Sequence, residues 1–292
     1  MNFRILNYFL TVAHEKNITK AAEVLHITQP TLSRQLMQLE EELGTKLFDR
    51  SQHKFTLTPA GQFLVQRAQD ILDMVEKTTL DIQEKEFNPS GNIVFGAGEL
   101  QTISVLADII KAFQAQYPLV TFDLFTATSD IIRDKTEKGL IDIALLQEPI
   151  DTENYDYIRL SQKETWGILM RKDANLAAKS CIKPEDLADG QVILPSRLQV
   201  RSEIFNWLSG GIAKIHIVGS CNLRGNTAVL VERNNYYAIT IKAPLIDNDR
   251  LVFRPFQPKL TSGVVLAWRR GKQQSIAMQK FIEFAKYFLS IE

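Results

Sequence analysis

In the larger, C-terminal part of the chain, short apolar runs typical of β-strands alternate with amphipathic segments typical of helices. The first strand-like runs lie at 92–97, 119–125 and 141–146, and helical segments at 102–117 and 130–139 separate them. Strands that alternate with helices pair in parallel, because a helical crossover returns the chain to the same end of the sheet. The pattern therefore predicts an α/β fold built on parallel strands.

More strand-like and helical segments fill about 163–260, and the chain closes with a strand at 263–268 and an amphipathic helix from about Gln273. The length of 292 residues predicts about two domains. The turn-forming sequence "NPSG" at 88–91 interrupts a long helical pattern, and we place the main domain boundary there. Apolar residues make up 45% and charged residues 23%, so a core of ordinary size is expected.

Composition also indicates the cellular compartment and limits the kinds of partner that the protein can bind. No run approaches the roughly 18 uninterrupted apolar residues of a membrane span, and the N-terminus has no cleavage site typical of a signal peptide. With two cysteines, the chain is expected to be cytoplasmic, with reduced thiols and no membrane partner. A formal net charge of zero argues against nucleic-acid contact along the whole chain, but it allows a small local patch that contacts phosphates.

Three short helical patterns open the chain. The first covers 3–14, the second follows Thr19 as its predicted N-cap, and the third begins near Pro30 and ends at Gly44. Proline suits a first helical turn because its missing N–H has no intrahelical partner there, and glycine suits the left-handed end of a helix. The alanine pair at 21–22 is small enough for one helix to cross closely over another.

The third helix has an apolar and a polar face at about 100° per residue. The apolar face is a narrow stripe of Leu32, Leu36, Leu39 and Leu43, and the opposite face carries Pro30, Ser33, Arg34 and Met37. The side chains at its N-terminal end that can reach base edges and phosphates in a major groove are Gln29, Thr31, Ser33 and Arg34. Spacing alone leaves two interpretations open: a helix-turn-helix, or a small helical bundle with a solvated face.

A small hairpin and a long helix follow. The runs "KLFDR" and "KFTLT" are typical of two short strands, and Thr58 and Pro59 begin a helix predicted to extend to about Phe87. The heptad spacing of this helix predicts pairing with a second chain through Leu64, Ala68, Ile71, Val75, Thr78 and Ile82. The alternative is a helix packed on its own domain.

Four motifs then occur in order over some sixty residues: AA-x-x-L, S/T-Q-P-x-x-S-R, LE-x-x-LG-x-x-LF-x-R and LTPAG. With these motifs the chain resembles LysR-type transcriptional regulators, and the resemblance extends over its whole length. It implies a winged helix-turn-helix DNA-binding domain, a long linker helix, and an α/β two-lobed effector domain similar to periplasmic binding proteins. The implied bounds are 1–58 for the DNA-binding domain (helix-turn-helix about 18–37), 59–87 for the linker and dimerisation helix, and 91–292 for the effector domain (lobe one 91–161 and 263–292, lobe two 162–262).

The resemblance also implies roles for single residues. In the major groove of a double-stranded operator it places Thr28, Gln29, Pro30, Thr31, Ser33 and Arg34. On the wing, beside the minor groove, it places Arg50, His53 and Lys54, a lighter set of cations than many wings of the family carry. The linker helix implies a homodimer that presents two DNA-binding heads to two half-sites, and the larger assembly usual in the family is a homotetramer.

In proteins built on parallel sheets, ligands bind at the carboxyl ends of the strands, near the N-termini of the helices that follow. The candidates at these ends are Glu99, Thr102, Thr128 and Ser129 from the first lobe, with Arg197 and Asn226 at matching places in the second. The resemblance places the effector in the cleft between the lobes and favours Thr102 and Thr128, although each hydroxyl also suits a helix cap. For Glu99 three interpretations remain: pairing with Arg197, pointing outward, or selecting an amine-bearing ligand.

Catalysis and metal binding are not indicated. The four histidines are scattered without metal-ligand spacing and no nucleophile motif occurs, so we expect no cofactor. Cys181 and Cys221 either form a redox switch, as in some relatives of the family, or remain buried thiols. We predict a sequence-specific transcriptional regulator that responds to a small-molecule effector and is not an enzyme. The rival is a stand-alone ligand-binding protein or enzyme on the same two-lobed scaffold, which would have no use for the first 87 residues.

Overall fold

The computed structural model divides into two compact units, Met1–Gln83 and Glu84–Glu292. It describes residues 1–49, 56–83, 89–150, 153–188, 190–208, 215–242 and 249–291, apart from the side chains of 77, 80–83, 198–199 and 291. The wing residues Arg50, His53 and Lys54, and the predicted helix end at 84–87, lie outside the described residues.

The N-terminal unit contains three short helices, a hairpin and a long helix. Their bounds are α1 Phe3–Glu15, α2 Ile18–Val24, α3 Gln29–Leu43, β1 Phe48–Asp49, β2 Thr56–Leu57 and α4 Pro59–Gln83. The predicted N-cap of α2 is wrong by two residues, because the Asn17 side chain accepts the N–H of Thr19 and of Lys20 (2.9 and 3.1 Å). At the start of α4, the predicted cap is confirmed, since Thr58 Oγ1 accepts the N–H of Gly61 at 3.0 Å.

The core of this unit explains the leucine stripe of α3. Leu32, Leu36 and Leu39 are buried together with the fully enclosed alanine pair at 21–22. Leu43 departs from the prediction and remains 41% exposed. It stands in the last turn before Gly44, which adopts the expected left-handed conformation (φ 66°) and ends the helix.

The first half of α4 packs on this same core rather than standing free. Ala68 is fully buried, and Leu64, Ile71 and Leu72 pack against the cluster. The assignment of Ala68 to a surface that meets a second chain is therefore corrected, because an enclosed methyl group has no area left to bury. The apolar contacts with this core end at Leu72, so Val75 lies beyond them.

The C-terminal unit contains two sheets. The first has the order β4-β3-β5-β13-β6, in which β3, β4 and β5 are parallel, as the alternating sequence predicted, and β13 is antiparallel to β5 and β6. Its elements are β3 Gly91–Ala97, α5 Ile103–Gln116, β4 Val120–Thr126, α6 Ser129–Glu137, β5 Ile143–Gln147, β6 Tyr155–Arg159, β13 Val264–Arg269 and α9 Ile276–Ile291. Aromatic edges join its layers, with Phe281 of α9 at 4.9 Å from Phe95 and 5.1 Å from Phe113 between ring centroids.

The second sheet has the order β11-β7-β10-β8-β9, with β12 paired to β7. Its elements are β7 Glu164–Arg171, β8 Gln191–Pro195, α7 Leu198–Trp207, β9 His216–Cys221, α8 Arg224–Asn234, β10 Tyr237–Ile241, β11 Leu251–Pro255 and β12 Thr261–Ser262. Strands β8, β9 and β10 are parallel, whereas β7 is antiparallel to β10 and β11. The chain passes between the sheets twice, after β6 and after β12, so each sheet forms one lobe around a shared cleft.

Candidate functional site

The polar face of α3 is exposed to solvent at its N-terminal end. Gln29, Pro30, Thr31 and Arg34 are exposed, as is Met37, and Ser33 is half-buried. The hydroxyls of Thr28 and Thr31 share a hydrogen bond at 2.8 Å, which orders the first turn although neither hydroxyl caps a backbone N–H. The predicted DNA-contact residues at 28–34 therefore lie together at one helix end, away from the leucine core.

A buried carboxylate that the sequence interpretation missed joins α3 to the hairpin. The Glu40 side chain is 1% exposed and accepts the Lys46 ammonium at 2.9 Å and the N–H groups of Leu47 and Phe48 at 2.9 and 3.3 Å. Burial by itself raises the pKa of the Glu40 carboxyl, but the Lys46 ammonium and the two N–H groups bring that pKa below its ordinary value. Glu40 is therefore an ionised anchor for the first strand of the hairpin.

The start of α4 contacts the two residues that precede this strand. Thr58 Oγ1 donates to the Lys46 carbonyl at 2.7 Å, and the Thr58 N–H donates to the Leu47 carbonyl at 3.0 Å. Gly61 lies against this carbonyl so closely that a Cβ there would be 2.1 Å from the Leu47 oxygen. Helix α3, the hairpin and α4 are thus tied through one short segment, which accounts for the acidic, threonine and glycine positions of the LE-x-x-LG and LTPAG motifs.

A cavity of about 480 Å³ lies between the two lobes of the C-terminal unit. Four predicted ligand residues line it: Glu99, Thr128, Ser129 and Arg197. The carboxyl ends of β3 and β4 and the start of α6 supply the first three, and the start of α7 supplies the fourth. Apolar side chains, among them Leu100, Trp166 and Val200, complete the wall.

Two predicted ligand residues do not line this cavity. Thr102 is fully buried, and its hydroxyl and N–H donate to Glu164 Oε1 at 2.8 and 2.9 Å. Glu164, at the start of β7, also accepts the Gln101 N–H at 3.1 Å and is 0% exposed. Asn226 is an exposed residue of α8. Thr102 therefore acts between the lobes as a structural donor, and its hydroxyl is not turned toward the cavity.

The partner of Glu99 is Arg224, which sequence interpretation did not single out. The Glu99 carboxylate accepts the N–H of Arg224 and the N–H of Gly225 (3.4 Å), and Arg224 Nε lies 3.7 Å from Glu99 Oε2. The expected alternative of a Glu99–Arg197 pair is wrong, because Arg197 Nε instead lies 3.9 Å from Asp130. Burial lowers the pKa of Arg224, and the charges of Glu99 and Glu164 oppose that shift.

The two cysteines are free and half-buried. Cys181 Sγ donates to Gln257 Oε1 at 2.7 Å, and Cys221 lines the cavity. Among the residues that the structure describes, no group of three or more His, Cys, Asp or Glu side chains is placed to hold a metal ion. Within the same residues, no helix combines the length and apolarity needed to cross a membrane.

Comparisons with known proteins agree with this architecture. Residues 3–62 match the family model "Bacterial regulatory helix-turn-helix protein, lysR family", and residues 88–289 match "LysR substrate binding domain". The HTH-type transcriptional regulator BsdA of Bacillus subtilis (strain 168) is 31% identical over 195 residues, 66% of this chain and 67% of that protein. The Hca operon transcriptional activator HcaR of Escherichia coli (strain K12) is 26% identical over 292 residues, 97% of this chain and 96% of that protein.

Solved structures share the fold. The crystal structure of CbnR, a LysR family transcriptional regulator, covers 99% of both chains with a TM-score of 0.78 and 20% identity. Full-length CbnR complexed with its target DNA covers 98% of this chain and 99% of that chain, with a TM-score of 0.76 and 20% identity. Because the two family models together span nearly the whole sequence, the chain belongs to the LysR family of transcriptional regulators, which are not enzymes and which combine a DNA-binding helix-turn-helix with an effector-binding domain.

Proposed function

We propose that this regulator binds an operator with two half-sites as a homodimer and that a small molecule bound in the cleft between its lobes modulates that binding. The assignment divides the chain into the DNA-binding domain 1–58, the linker helix 59–87 and the effector domain 91–292, with lobe one at 91–161 and 263–292 and lobe two at 162–262. A regulator of this kind acts where the chromosome lies, which supports a cytoplasmic location.

The exposed N-terminal face of α3 is the observation that carries the DNA-binding proposal. A helix fits the major groove, where an arginine binds guanine through two parallel hydrogen bonds and polar side chains contact other base edges. Arg34 makes no ion pair within the described part of the chain, so its guanidinium is available. Gln29 and Thr31 flank it on the same exposed end.

We assign the contact between the two copies of the homodimer to the second half of α4. Beyond the end of the core contacts at Leu72, the heptad spacing continues through Val75, Thr78 and Ile82. Val75 is half-buried, and the side chain of Ile82 lies outside the described residues. A helix of 25 residues whose second half carries apolar side chains past its own core is suited to pair with a second copy.

A homotetramer is supported by two sets of exposed apolar side chains on the C-terminal unit. One consists of Leu119, Phe122 and Leu124 at the edge strand β4, which are 52%, 43% and 47% exposed. The other consists of Ile217, Val229 and Leu230 on the edge strand β9 and on α8, which are 46%, 57% and 41% exposed. Exposed apolar side chains of this kind favour association, and a two-fold arrangement lets each set meet the other on a second copy.

For the effector we retain Glu99, Thr128, Ser129 and Arg197 as contacts, because their side chains line the cavity. Thr128 and Ser129 stand at the start of α6, where free N–H groups favour a polar or anionic ligand group.

The test is selection of genomic fragments by the full-length protein, followed by footprinting. The expected result is enrichment of sequences with two half-sites about one or more helical turns apart, 10–10.5 base pairs per turn. A chain that shows only unselective DNA binding at low salt would favour the rival, a stand-alone ligand-binding protein on the same scaffold.

A further inference from the structure

Four charged side chains line the cleft, and they face one another across it in two pairs. The first lobe contributes the carboxylates of Glu99 and Asp130, and the second lobe contributes the guanidinium groups of Arg197 and Arg224. Nε–carboxylate distances are 3.7 Å for Arg224 with Glu99 and 3.9 Å for Arg197 with Asp130. Among the described lining residues there is no lysine or histidine. The cleft is therefore acidic on one wall, basic on the other, and balanced in charge.

The Glu99 carboxylate occupies an anion-binding position built by the second lobe. Helix α8 has 11 residues, and its first N–H groups, those of Arg224 and Gly225, donate to Glu99. A helix N-terminus favours negative charge, and here the Arg224 guanidinium reinforces it. A side chain of the protein itself thus stands where a ligand carboxylate would bind.

Two buried donors on the cleft wall have no hydrogen-bond partner within the described residues. They are Nε2 of Gln147, a residue that is 8% exposed, and Nε of Arg224, a residue that is 9% exposed. Buried polar groups nearly always have a partner, so each exception points to an atom that arrives from elsewhere. The Arg224 Nε group can only donate, so the atom that it lacks is an acceptor, such as a carboxylate oxygen, and the Gln147 amide can donate to the same kind of group.

Building on the proposed effector site, we propose that the effector is zwitterionic, an amino acid with an apolar side chain. Its carboxylate replaces Glu99 at the start of α8 and satisfies Arg224. Its ammonium group pairs with the displaced Glu99 carboxylate. Leu100, Trp166 and Val200 accept the apolar side chain, and a cavity of about 480 Å³ has room for it.

Ligands with one charge fit this cleft less well. A carboxylic acid without an amino group would leave displaced Glu99 beside a like charge in a partly enclosed site, which is unfavourable. An amine without a carboxylate would pair with Glu99 but would leave the two buried donors without acceptors. Only a ligand that carries both a carboxylate and an ammonium group pairs with the charged side chains of both lobes.

The experiment is calorimetry on the full-length protein with matched probes. L-leucine is compared with 4-methylpentanoate, which lacks the amino group, and with 3-methylbutylamine, which lacks the carboxylate. Valine, isoleucine, methionine and phenylalanine are tested with their own counterparts. The expected result is that at least one amino acid binds about ten-fold or more tightly than both of its counterparts, in line with the loss of a charged hydrogen-bonded contact.

Variants separate this proposal from the proposed function. Glu99→Gln is expected to weaken amino-acid binding about ten-fold without weakening the matched carboxylate, whereas Asp108→Asn, on the exposed face of α5 and outside the cavity lining, leaves both affinities unchanged. Equal affinity for the amino acid and its carboxylate counterpart, or no amino-acid binding at all, overturns the proposal that the effector is zwitterionic. Ser129→Trp fills the cleft and should abolish effector binding there. If an effector binds this variant with the affinity of the parent, the cleft is not the effector site. Circular dichroism and DNA binding establish that each variant is folded.

Discussion

Removing the carboxylate of Glu40 tests how helix α3 is tied to the hairpin. In Glu40→Ala, the N–H groups of Leu47 and Phe48 lose the acceptor that holds them at 2.9 and 3.3 Å, and the Lys46 ammonium loses its partner. Glu40→Gln is milder, because the amide oxygen still accepts one N–H while the amide nitrogen faces the Lys46 ammonium.

The magnitude follows from burial. Depriving a buried N–H of its acceptor costs about 1–3 kcal/mol. The Lys46 side chain is 73% exposed, so its ion pair with Glu40 adds less than about 1 kcal/mol. Two N–H groups at about 1–3 kcal/mol each and a weak ion pair give about 2–7 kcal/mol for Glu40→Ala and about half of that for Glu40→Gln, a large share of the roughly 5–15 kcal/mol that stabilises a domain.

The effect of pH has a defined sign. The folded-state pKa of Glu40 lies below its ordinary value, so the carboxylate stabilises the fold at all pH values above the unfolded-state pKa of about 4.3. That contribution is lost as the pH falls through the folded-state pKa. The difference in unfolding free energy between the parent and Glu40→Gln should therefore be full at about pH 7 and shrink below about pH 4.

Urea unfolding of the full chain, with hydrogen exchange at the Leu47 and Phe48 amides, measures both effects. Glu41→Gln is the matched control, because Glu41 is the exposed neighbour of Glu40 on the same helix. The reasoning is refuted if Glu40→Ala unfolds at the same urea concentration as the parent, or if Glu41→Gln has an equal effect.

Four further changes test the other sites. Arg34→Ala should weaken operator binding by about 1–3 kcal/mol and relax base preference at one position in a gel-shift titration, and an unchanged affinity would remove Arg34 from the groove. Val75→Glu should give monomers in sedimentation, while a dimer as stable as the parent contradicts pairing through the second half of α4. Gly61→Ala should lower the melting temperature, since its Cβ would meet the Leu47 carbonyl at 2.1 Å, and an unchanged melting curve would contradict this packing. Thr128→Val should weaken the effector by about 1 kcal/mol in calorimetry but spare basal DNA binding, and equal affinity would place the ligand elsewhere.

Local patterns in the sequence predicted most of the elements and the exposed polar face of α3, although they misplaced the N-cap of α2 and the exposed Leu43. The caps at Thr58 and Gly44 depend on neighbours within a few residues, and the burial of Leu32, Leu36 and Leu39 follows from helical spacing alone. The parallel pairing of β3, β4 and β5 follows from the alternation of strands with helices. Each of these features depends on interactions that recur at short, fixed distances along the chain.

The tertiary structure decided which distant side chains meet. A heptad seam and a core-facing stripe have almost the same spacing, so only packing revealed that Ala68 is buried in its own unit. Thr102 was indistinguishable in sequence from Thr128, yet it donates to Glu164, 62 residues away. Glu99 likewise gives no sign in the sequence of its partner, the start of α8, which lies 125 residues further along the chain. Such pairs have no local signal, because the energy of a buried charge depends on what the fold places beside it.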